Sequence, residues 1–455
     1  MMTTVVKKGR KLSLRRLFAI CGVCLGAFVL AVAVIILVFG GAILDGYGKR
    51  KLERAFAQAH PGCVLRVGRL GYSIGSNLLV AQTVTMSAAG ANLKIDRISL
   101  MGLSWGLLLR GKGTPADVLA KSVLEATNLA VDFPQSRYGI LCARLRASVP
   151  DSELIAEATE LRTSVGQEAF FAEDNFRTTW FHVVVPECKV SGLAYGPLLE
   201  GKSYRVGSVH ISGPSFEALV NRDKPLRPFV KSPLMVNEAL AAIGQPFQID
   251  SLSVTNGNLK YCERLAIGAE PAVLTISKIG LSAEGIANRG EASAAILLHG
   301  QGNLMDAGTL KVQLSIPIAP PNFSLHYSGS LTAMDLTRLD PFLAIAEHVQ
   351  IKSGNAQSAS FDIDVAAGQA RGRVQGIYGN LEVAILDKQT GTPDRIDHRA
   401  ASFLANMLKF RNSNVPGAPG SMKEGVVNYA KRPGDEFQQF LWFALRTGVL
   451  DIISQ

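Results

Sequence analysis

Charged side chains are scarce in this chain of 455 residues, where Asp, Glu, Lys and Arg together make up 18%. Globular proteins average about a quarter. Aromatic residues are also few, at 7%, whereas glycines number 44. So low a charge content excludes a disordered chain, and so many glycines exclude a coiled coil. Glycines among short alternating apolar runs instead indicate a sheet protein with many turns.

The motifs of common catalytic and cofactor sites are missing. The sequence has no Walker A motif and no complete GxGxxG, and its seven histidines and six cysteines show no metal-ligand spacing. One G-x-S-x-G motif, Gly71–Gly75, contains Ser73, but a strand-like run follows it where a nucleophile elbow requires a helix. We therefore predict a protein that is not an enzyme and has no cofactor or metal. Hydrolysis through Ser73 stays an alternative.

Positive charge is concentrated at the N-terminus. The net charge is +10, and residues 1–54 contain ten basic and two acidic side chains. The other 401 residues are nearly neutral, with 37 basic and 35 acidic side chains. A basic segment beside an apolar run is typical of a membrane surface, so no nucleic-acid partner is predicted.

The apolar run Leu17–Leu44 contains 28 residues without a charge. A bilayer needs about 20 residues, and a signal-peptide core has roughly 7–15, so the run predicts an uncleaved transmembrane helix. Six basic residues precede the run and four follow it closely. We therefore predict a single-pass protein of the inner (plasma) membrane, for which the positive-inside rule favours a cytoplasmic N-terminus. Its basic tail, residues 1–16, would be cytoplasmic and its bulk periplasmic.

Four segments are predicted beyond the anchor. Residues 45–150 read as a β-rich segment with short helices. Residues 151–175, "DSELIAEATELRTSVGQEAFFAEDN", read as a helical insert because an N-cap residue precedes a run of Glu, Ala and Leu. Residues 176–390 read as a repetitive antiparallel sheet. Residues 391–455 read as a helical cap, with helices at about Ile396–Lys409 and Glu436–Ile453.

One apolar pattern recurs in the predicted sheet. The stretches "YRVGSVHISGPSFEAL" and "FQIDSLSVTNGNLKYC" have the same apolar spacing, and Gly213-Pro214 and Asn256-Gly257 fall at equivalent places. A fainter copy begins with "LRVGRLGYSIGSNLL". Both dipeptides are turn signals. The pattern therefore predicts hairpin repeats that extend the sheet along one axis.

The stretch "FDIDVAAGQARGRVQGIYGNLEVAIL" alternates apolar and polar residues, which indicates half-buried strands. Two interpretations of its apolar face stay open: a groove that holds lipid, or a core covered by helices. The candidates for a lipid groove are Ile363, Val365, Val374, Leu381, Val383 and Ile385.

The C-terminal third resembles a known family. The stretches that carry the resemblance are "GSLTAMDLTRLDPFL", "GRVQGIYGNLEVAIL", "FLANMLKFRNSN" and "FQQFLWFALRTGVLDII". They resemble the conserved end of AsmA-like bacterial envelope proteins, and in particular a membrane-anchored subgroup of unknown function. The similarity covers about residues 320–455. The family's motif residues are not catalytic, so the resemblance implies no active site.

The resemblance implies a fold that is mainly β with some α structure. One N-terminal transmembrane helix would precede an elongated, curled antiparallel sheet built from hairpin repeats, closed by C-terminal helices. It also implies a function in lipid transport or in outer-membrane and envelope biogenesis, with membrane lipids as partners. The alternative is an envelope scaffold that docks a protein partner without binding lipid.

Overall fold

The computed structural model describes residues 62–386 and 410–454, together with residues 53, 54 and 57. These ranges have gaps at positions 74, 89, 110–113, 226–227, 229–231, 267, 292–293, 319–321 and 418–421. The predicted anchor Leu17–Leu44, the basic tail and the predicted helix Ile396–Lys409 lie outside the described residues. No helix within them combines the length and the apolar character that a membrane crossing requires.

The prediction of a mainly β protein is confirmed. The described residues form 18 strands, paired mostly antiparallel, and a few short helices. The chain divides into two units. The N-terminal unit contains Met1–Phe170, His182–Ser212 and Gln245–Gln248, and the C-terminal unit contains Phe171–Phe181, Gly213–Gly244 and Ile249–Gln455.

Strands β1 to β8 make up most of the N-terminal unit, and each pairs antiparallel with the next along the chain. The strands are β1 (Val64–Ser73), β2 (Leu78–Ala88), β3 (Ala91–Met101), β4 (Val123–Phe133), β5 (Tyr138–Ser148), β6 (Glu153–Thr163), β7 (Thr179–Ser191) and β8 (Tyr204–Ser212). The short helices are α1 (Trp105–Leu109), α2 (Pro115–Leu119), α3 (Gln167–Ala172, at the boundary between the units) and α4 (Tyr195–Leu199).

The strand register skips one position at the same level in each of β2 to β7. The skipped positions are Thr83, Asp96, Asn128, Ala143, Ala158 and Pro186. Thr83, Asn128 and Ala158 have positive φ angles, of 54°, 52° and 48°. The register is the same on both sides of each skipped position, so none of these strands contains an extra residue.

The predicted helical insert at residues 151–175 is wrong. Eleven of its residues form strand β6, and only the six residues of α3 are helical. Glu, Ala and Leu favour a helix locally, but pairing on both sides decides the conformation here, as is common for strands. The acidic side chains pair across the strands, with Glu157 3.2 Å from Arg144 on β5 and Glu153 2.7 Å from Lys189 on β7.

The C-terminal unit contains the remaining strands. They are β9 (Ser215–Asn221), β10 (Phe247–Arg264), β11 (Ala272–Ala287), β12 (Ala295–Leu304), β13 (Gly308–Pro317), β14 (Leu325–Leu331), β15 (Met334–Asp335), β16 (Val349–Ala366), β17 (Gln369–Ile385) and β18 (Gly425–Ala430). The helices are α5 (Val236–Ala241), a 3-10 turn (Leu336–Leu339), α6 (Asp340–Ala346) and α7 (Phe437–Ile453). Helix α7 confirms the predicted C-terminal helix, whereas β18 is a strand inside the segment predicted to be a helical cap.

In its two clearest copies the recurring apolar pattern reflects side-by-side strands, whereas the fainter copy lies in the β1–β2 hairpin. Strand β10 continues through Asn256, which takes a positive φ of 53°, so the predicted Asn-Gly turn is wrong. Strand β9 pairs with β10 in parallel, and Phe216 lies opposite Leu259. These two residues occupy equivalent positions in the two copies. The repeat is therefore real in this part of the sheet, but its copies lie next to each other.

Candidate functional site

The six residues predicted to line a lipid groove form two groups in the C-terminal unit. Ile363 and Val365 on β16 share a face with Val374 on β17, because Val374 lies opposite Phe361 in the register. The second group lies at the end of β17, where Val383 pairs with Ile351. It consists of Leu381, Val383 and Ile385.

Helix α7 covers the first group. A Cβ atom on Gly448 of this helix would lie 2.5 Å from Val374 Cγ2 and 2.8 Å from Val427 Cγ2, so the helix backbone lies directly on the strands. Ile363 is completely buried, and Val365 and Val374 are 4% exposed. Lipid would reach these residues only if α7 moved away.

The second group is less completely enclosed. Leu381 is buried, and a Cβ atom on Gly354 would lie 3.1 Å from its Cδ1. Val383 packs at the margin of the same apolar cluster, and Ile385 is half-buried. These contacts match the interpretation of a packed core for the residues that alternation selected.

Aromatic side chains fix α7 in one position on the strands. The ring of Phe440 makes an edge-to-face contact with Phe323 at 5.0 Å between centroids and lies 5.7 Å from Tyr429. The Tyr327 hydroxyl donates to the Leu441 carbonyl at 3.1 Å, and burial raises the pKa of Tyr327. Burial also raises the pKa of Tyr429 to about 12, helped by its hydrogen bond to Asp435.

Helix α7 also satisfies backbone groups of the strand beneath it. Asp451 accepts a hydrogen bond from the Val426 amide at 2.8 Å, and the Thr447 hydroxyl accepts one from the Asn428 amide at 3.4 Å. Unpaired amides on a strand invite pairing with another chain unless something covers them. The prediction that the C-terminal helix packs on the last strands is confirmed, and these two side chains give it a protective role.

A buried ion pair joins β10 to the end of β9. Glu263, which is 7% exposed, pairs with Arg222 and accepts a hydrogen bond from the Tyr261 hydroxyl at 2.5 Å. Arg222 Nη1 donates to the Ala346 carbonyl at 2.9 Å. The pKa of Arg177 is lowered mainly by burial and, to a smaller extent, by the positive charge of Arg222. The carboxylate has its partners inside the unit, so this cluster is structural.

The N-terminal unit buries a different kind of surface. Strands β1 to β6 contribute a continuous apolar face, in which Val67, Val84 and Ile95 are each 1% exposed. Of the buried side chains in this cluster, Phe133 and Tyr195 are the aromatic ones, and the others are aliphatic or contain sulfur. No long helix among the described residues of this unit covers the face.

Short helices close one end of this aliphatic face. The cluster includes Val118 and Leu119 of α2, Leu193, and Tyr195 of α4. The Tyr195 hydroxyl donates to the Glu153 carbonyl at 2.5 Å, at the start of β6. This end is opposite the one where β1 begins, since Val64 pairs with Ser87 whereas Met101 pairs with Leu78.

Ser73 does not occupy a nucleophile elbow. It is the last residue of β1, it is exposed, and it lies opposite Leu78 in the antiparallel pairing with β2. A strand follows where the motif requires a helix. The hairpin explains the G-x-S-x-G spacing as turn chemistry.

One group of side chains within the described residues has metal-ligand geometry. It consists of His326, Asp362 and Asp364. Sequence spacing did not reveal it because 36 residues separate His326 from the first aspartate, and only the β14–β16 pairing brings them together. The D-x-D pattern on one strand face was the available signal.

No protein-family model matches the sequence, and no curated protein shows significant similarity to it. The family resemblance of residues 320–455 therefore stays a sequence-based hypothesis.

Proposed function

We propose that this chain is a non-enzymatic protein of the bacterial envelope that is anchored in the inner membrane and handles lipid. Its β-sheet portion would lie in the periplasm, held by the predicted helix Leu17–Leu44. The acyl chains of membrane lipids would contact the aliphatic face of the N-terminal unit. Such handling would serve lipid transport or the biogenesis of the outer membrane.

The observation that carries this proposal is the aliphatic face of β1 to β6. Residues such as Val84, Ile95 and Val131 supply saturated hydrocarbon without directional contacts. The free energy of non-directional apolar contacts depends mainly on the apolar area that they remove from water. An acyl chain offers the same kind of contact, and because these residues are only 1–3% exposed it would reach them only if the strands moved apart. One end of this face lies beside the start of β1. Because β1 is the first strand after the predicted anchor in the sequence, this end is the one closer to the anchor along the chain.

Lipid analysis of the released sheet portion tests the proposal. A protease site would be introduced between residues 46 and 60 of the full chain, and the protein would be cleaved after extraction from membranes without detergent. We expect phospholipid to stay with the released portion at a fixed stoichiometry. Release of a folded, lipid-free portion would contradict the proposal.

Topology has its own test. The test uses a reporter that functions only outside the cytoplasm. Fused after Gln455, this reporter should be active, because the positive charge flanking Leu17 favours a cytoplasmic N-terminus. The same reporter fused after residue 16 is the control and should be inactive. The opposite pattern would contradict a periplasmic location.

The second candidate is an envelope scaffold that docks a protein partner without lipid. The packing of Ile363, Val365 and Val374 under α7 favours it, because the residues first assigned to a groove form a closed core. Cross-linking in intact cells that yields a stoichiometric protein partner, together with a lipid-free sheet portion, would support this candidate.

A further inference from the structure

A histidine and two aspartates lie together on the exposed face of the sheet in the C-terminal unit. His326 on β14 and Asp364 on β16 are register partners, and Asp362 lies two residues before Asp364 on the same face. The side chains of Asp362 and Asp364 are 71% and 78% exposed, and that of His326 is 41% exposed. One candidate ligand atom from each residue lies within 4.8 Å of the others.

The two ring nitrogens of His326 have different neighbours. Nδ1 lies 2.9 Å from Asp364 Oδ1, at hydrogen-bond distance, whereas Nε2 lies 3.8 Å from Asp362 Oδ2, too far for a hydrogen bond. A histidine that binds a metal typically donates its other N–H to a carboxylate, which fixes the tautomer and the ring orientation. Asp364 supplies that carboxylate, and a neutral ring whose Nδ1–H is donated to Asp364 has its lone pair on Nε2.

Two arginines on the neighbouring strand lie opposite the aspartates but form no ion pair with them within the described residues. Arg373 and Arg371 of β17 lie opposite Asp362 and Asp364 in the register. Arg373 nevertheless forms its ion pair with Glu424, at 3.6 Å. The two carboxylates face His326 instead and keep their capacity for a cation, although the nearby positive charge limits its affinity.

We propose that His326 Nε2 and an oxygen of Asp362 bind a divalent transition-metal ion of the Zn²⁺ class, with water at the other coordination positions. Bond lengths of about 2.0–2.2 Å place two ligand atoms of a tetrahedral zinc ion about 3.3 Å apart. The present 3.8 Å needs only a small side-chain rotation to reach that distance. Asp364 is a positioning residue, which acts through the ring of His326.

Calorimetric titration of the full-length, tag-free chain with Zn²⁺ tests the proposal. The cysteines contribute background binding, so the wild type is compared with variants that keep all of them. We expect His326→Ala and Asp362→Asn each to lose one equivalent of bound Zn²⁺. Asp364→Asn should keep the site but weaken it by about 10–100-fold, as the loss of an orienting carboxylate does. His299→Ala removes an exposed histidine of β12 in the same unit and should change nothing.

Equal zinc stoichiometry in the wild type and His326→Ala would overturn the site. Equal losses in His326→Ala and His299→Ala would also overturn it, because they would indicate non-specific binding to surface histidines. Unchanged affinity in Asp364→Asn would overturn the role given to Asp364. Melting temperatures measured without zinc would show that the variants are folded.

Discussion

The two units of this protein bury apolar surface in different ways. In the C-terminal unit a helix of 17 residues lies on the strands, and its Phe440 contacts the rings of Phe323 and Tyr429. In the N-terminal unit the apolar face is almost wholly aliphatic, and the helices that contribute to it have five residues each. No helix of comparable length lies on the N-terminal strands among the described residues, whereas α7 covers the C-terminal ones.

The difference indicates which surface is able to exchange its contacts. Ring–ring contacts and the hydroxyl bond of Tyr327 have preferred geometries, so the C-terminal core specifies one arrangement. Contacts among Leu, Ile and Val have little directionality, and an acyl chain offers the same chemistry. The proposed lipid contact therefore concerns the N-terminal unit, whereas the C-terminal core is packed in one arrangement.

Removal of α7 should have the largest effect on this comparison. A chain truncated before Glu436 exposes Ile363, Val374 and Val427 together with the amides of Val426 and Asn428. Exposed strand amides beside an apolar surface favour association between chains. We expect aggregation, measured by light scattering. A monomeric truncated chain with an unchanged melting temperature would show that α7 protects nothing.

Helix α7 contains one buried and one exposed aromatic residue that can serve as a test variant and its control. Phe440 is completely buried, whereas Trp442 is 45% exposed. Phe440→Ala should lower the free energy of unfolding by about 3–5 kcal/mol. Trp442→Ala, the control, should change it by about 0.5 kcal/mol or less. Urea denaturation measures both, and similar losses would contradict the packing described here.

In the N-terminal unit, Gly68 of β1 lies close to the backbone of β2. A Cβ atom there would lie 2.9 Å from the Gln82 carbonyl oxygen and 2.9 Å from Thr83 Cβ, whereas a Cβ atom on Gly71 meets nothing within 4 Å. Gly68→Ala should therefore cost about 1–3 kcal/mol of unfolding free energy. Gly71→Ala lies on the same strand and should be nearly neutral. Equal behaviour of the two variants would mean that the close approach of β2 does not constrain Gly68.

Alkaline pH should lower the stability of the C-terminal unit, by less than the substitutions above. Burial raises the pKa of Tyr378 to about 12, while the Tyr378 hydroxyl donates to the Arg411 carbonyl. The unfolded chain releases this proton near pH 10. The stabilisation is therefore complete below about pH 10 and is lost as the pH rises towards 12. Tyr378→Phe should lose less stability than the wild type between pH 9 and 12, in thermal melts, and parallel losses would exclude Tyr378 as the cause.

The sequence predicted those features that depend on local patterns. Alternation predicted β structure, and the apolar stripe predicted a helix at Glu436–Ile453, within one residue of α7. Local patterns failed where distant strands decide the conformation. Residues 151–175 contain good helix formers, yet β5 and β7 hold most of them as a strand. Asn256 reads as a turn, yet it lies inside the 18-residue strand β10.

The same limit applied to the candidate site. Alternation placed Ile363, Val365 and Val374 on one face, but it could not show that α7 covers them. The His326 cluster depends on strand register, which no short window of sequence contains. In the N-terminal unit, the apolar spacing shifts by one residue within β1, where Leu65 and Val67 are followed by Leu70 and Tyr72. A strict period of two does not predict this shift.

Photo-cross-linking with a phospholipid that carries a diazirine in its acyl chain tests the central claim most directly. The lipid would be supplied to membranes that contain the full-length chain, and the cross-linked positions would be mapped by mass spectrometry. We predict adducts on the aliphatic face of β2 to β4, at residues such as Val84, Ile95 and Val131, and none on Ile363 or Val374. Adducts restricted to Leu17–Leu44, or adducts on β16 and β17 in place of β2 to β4, would contradict the account.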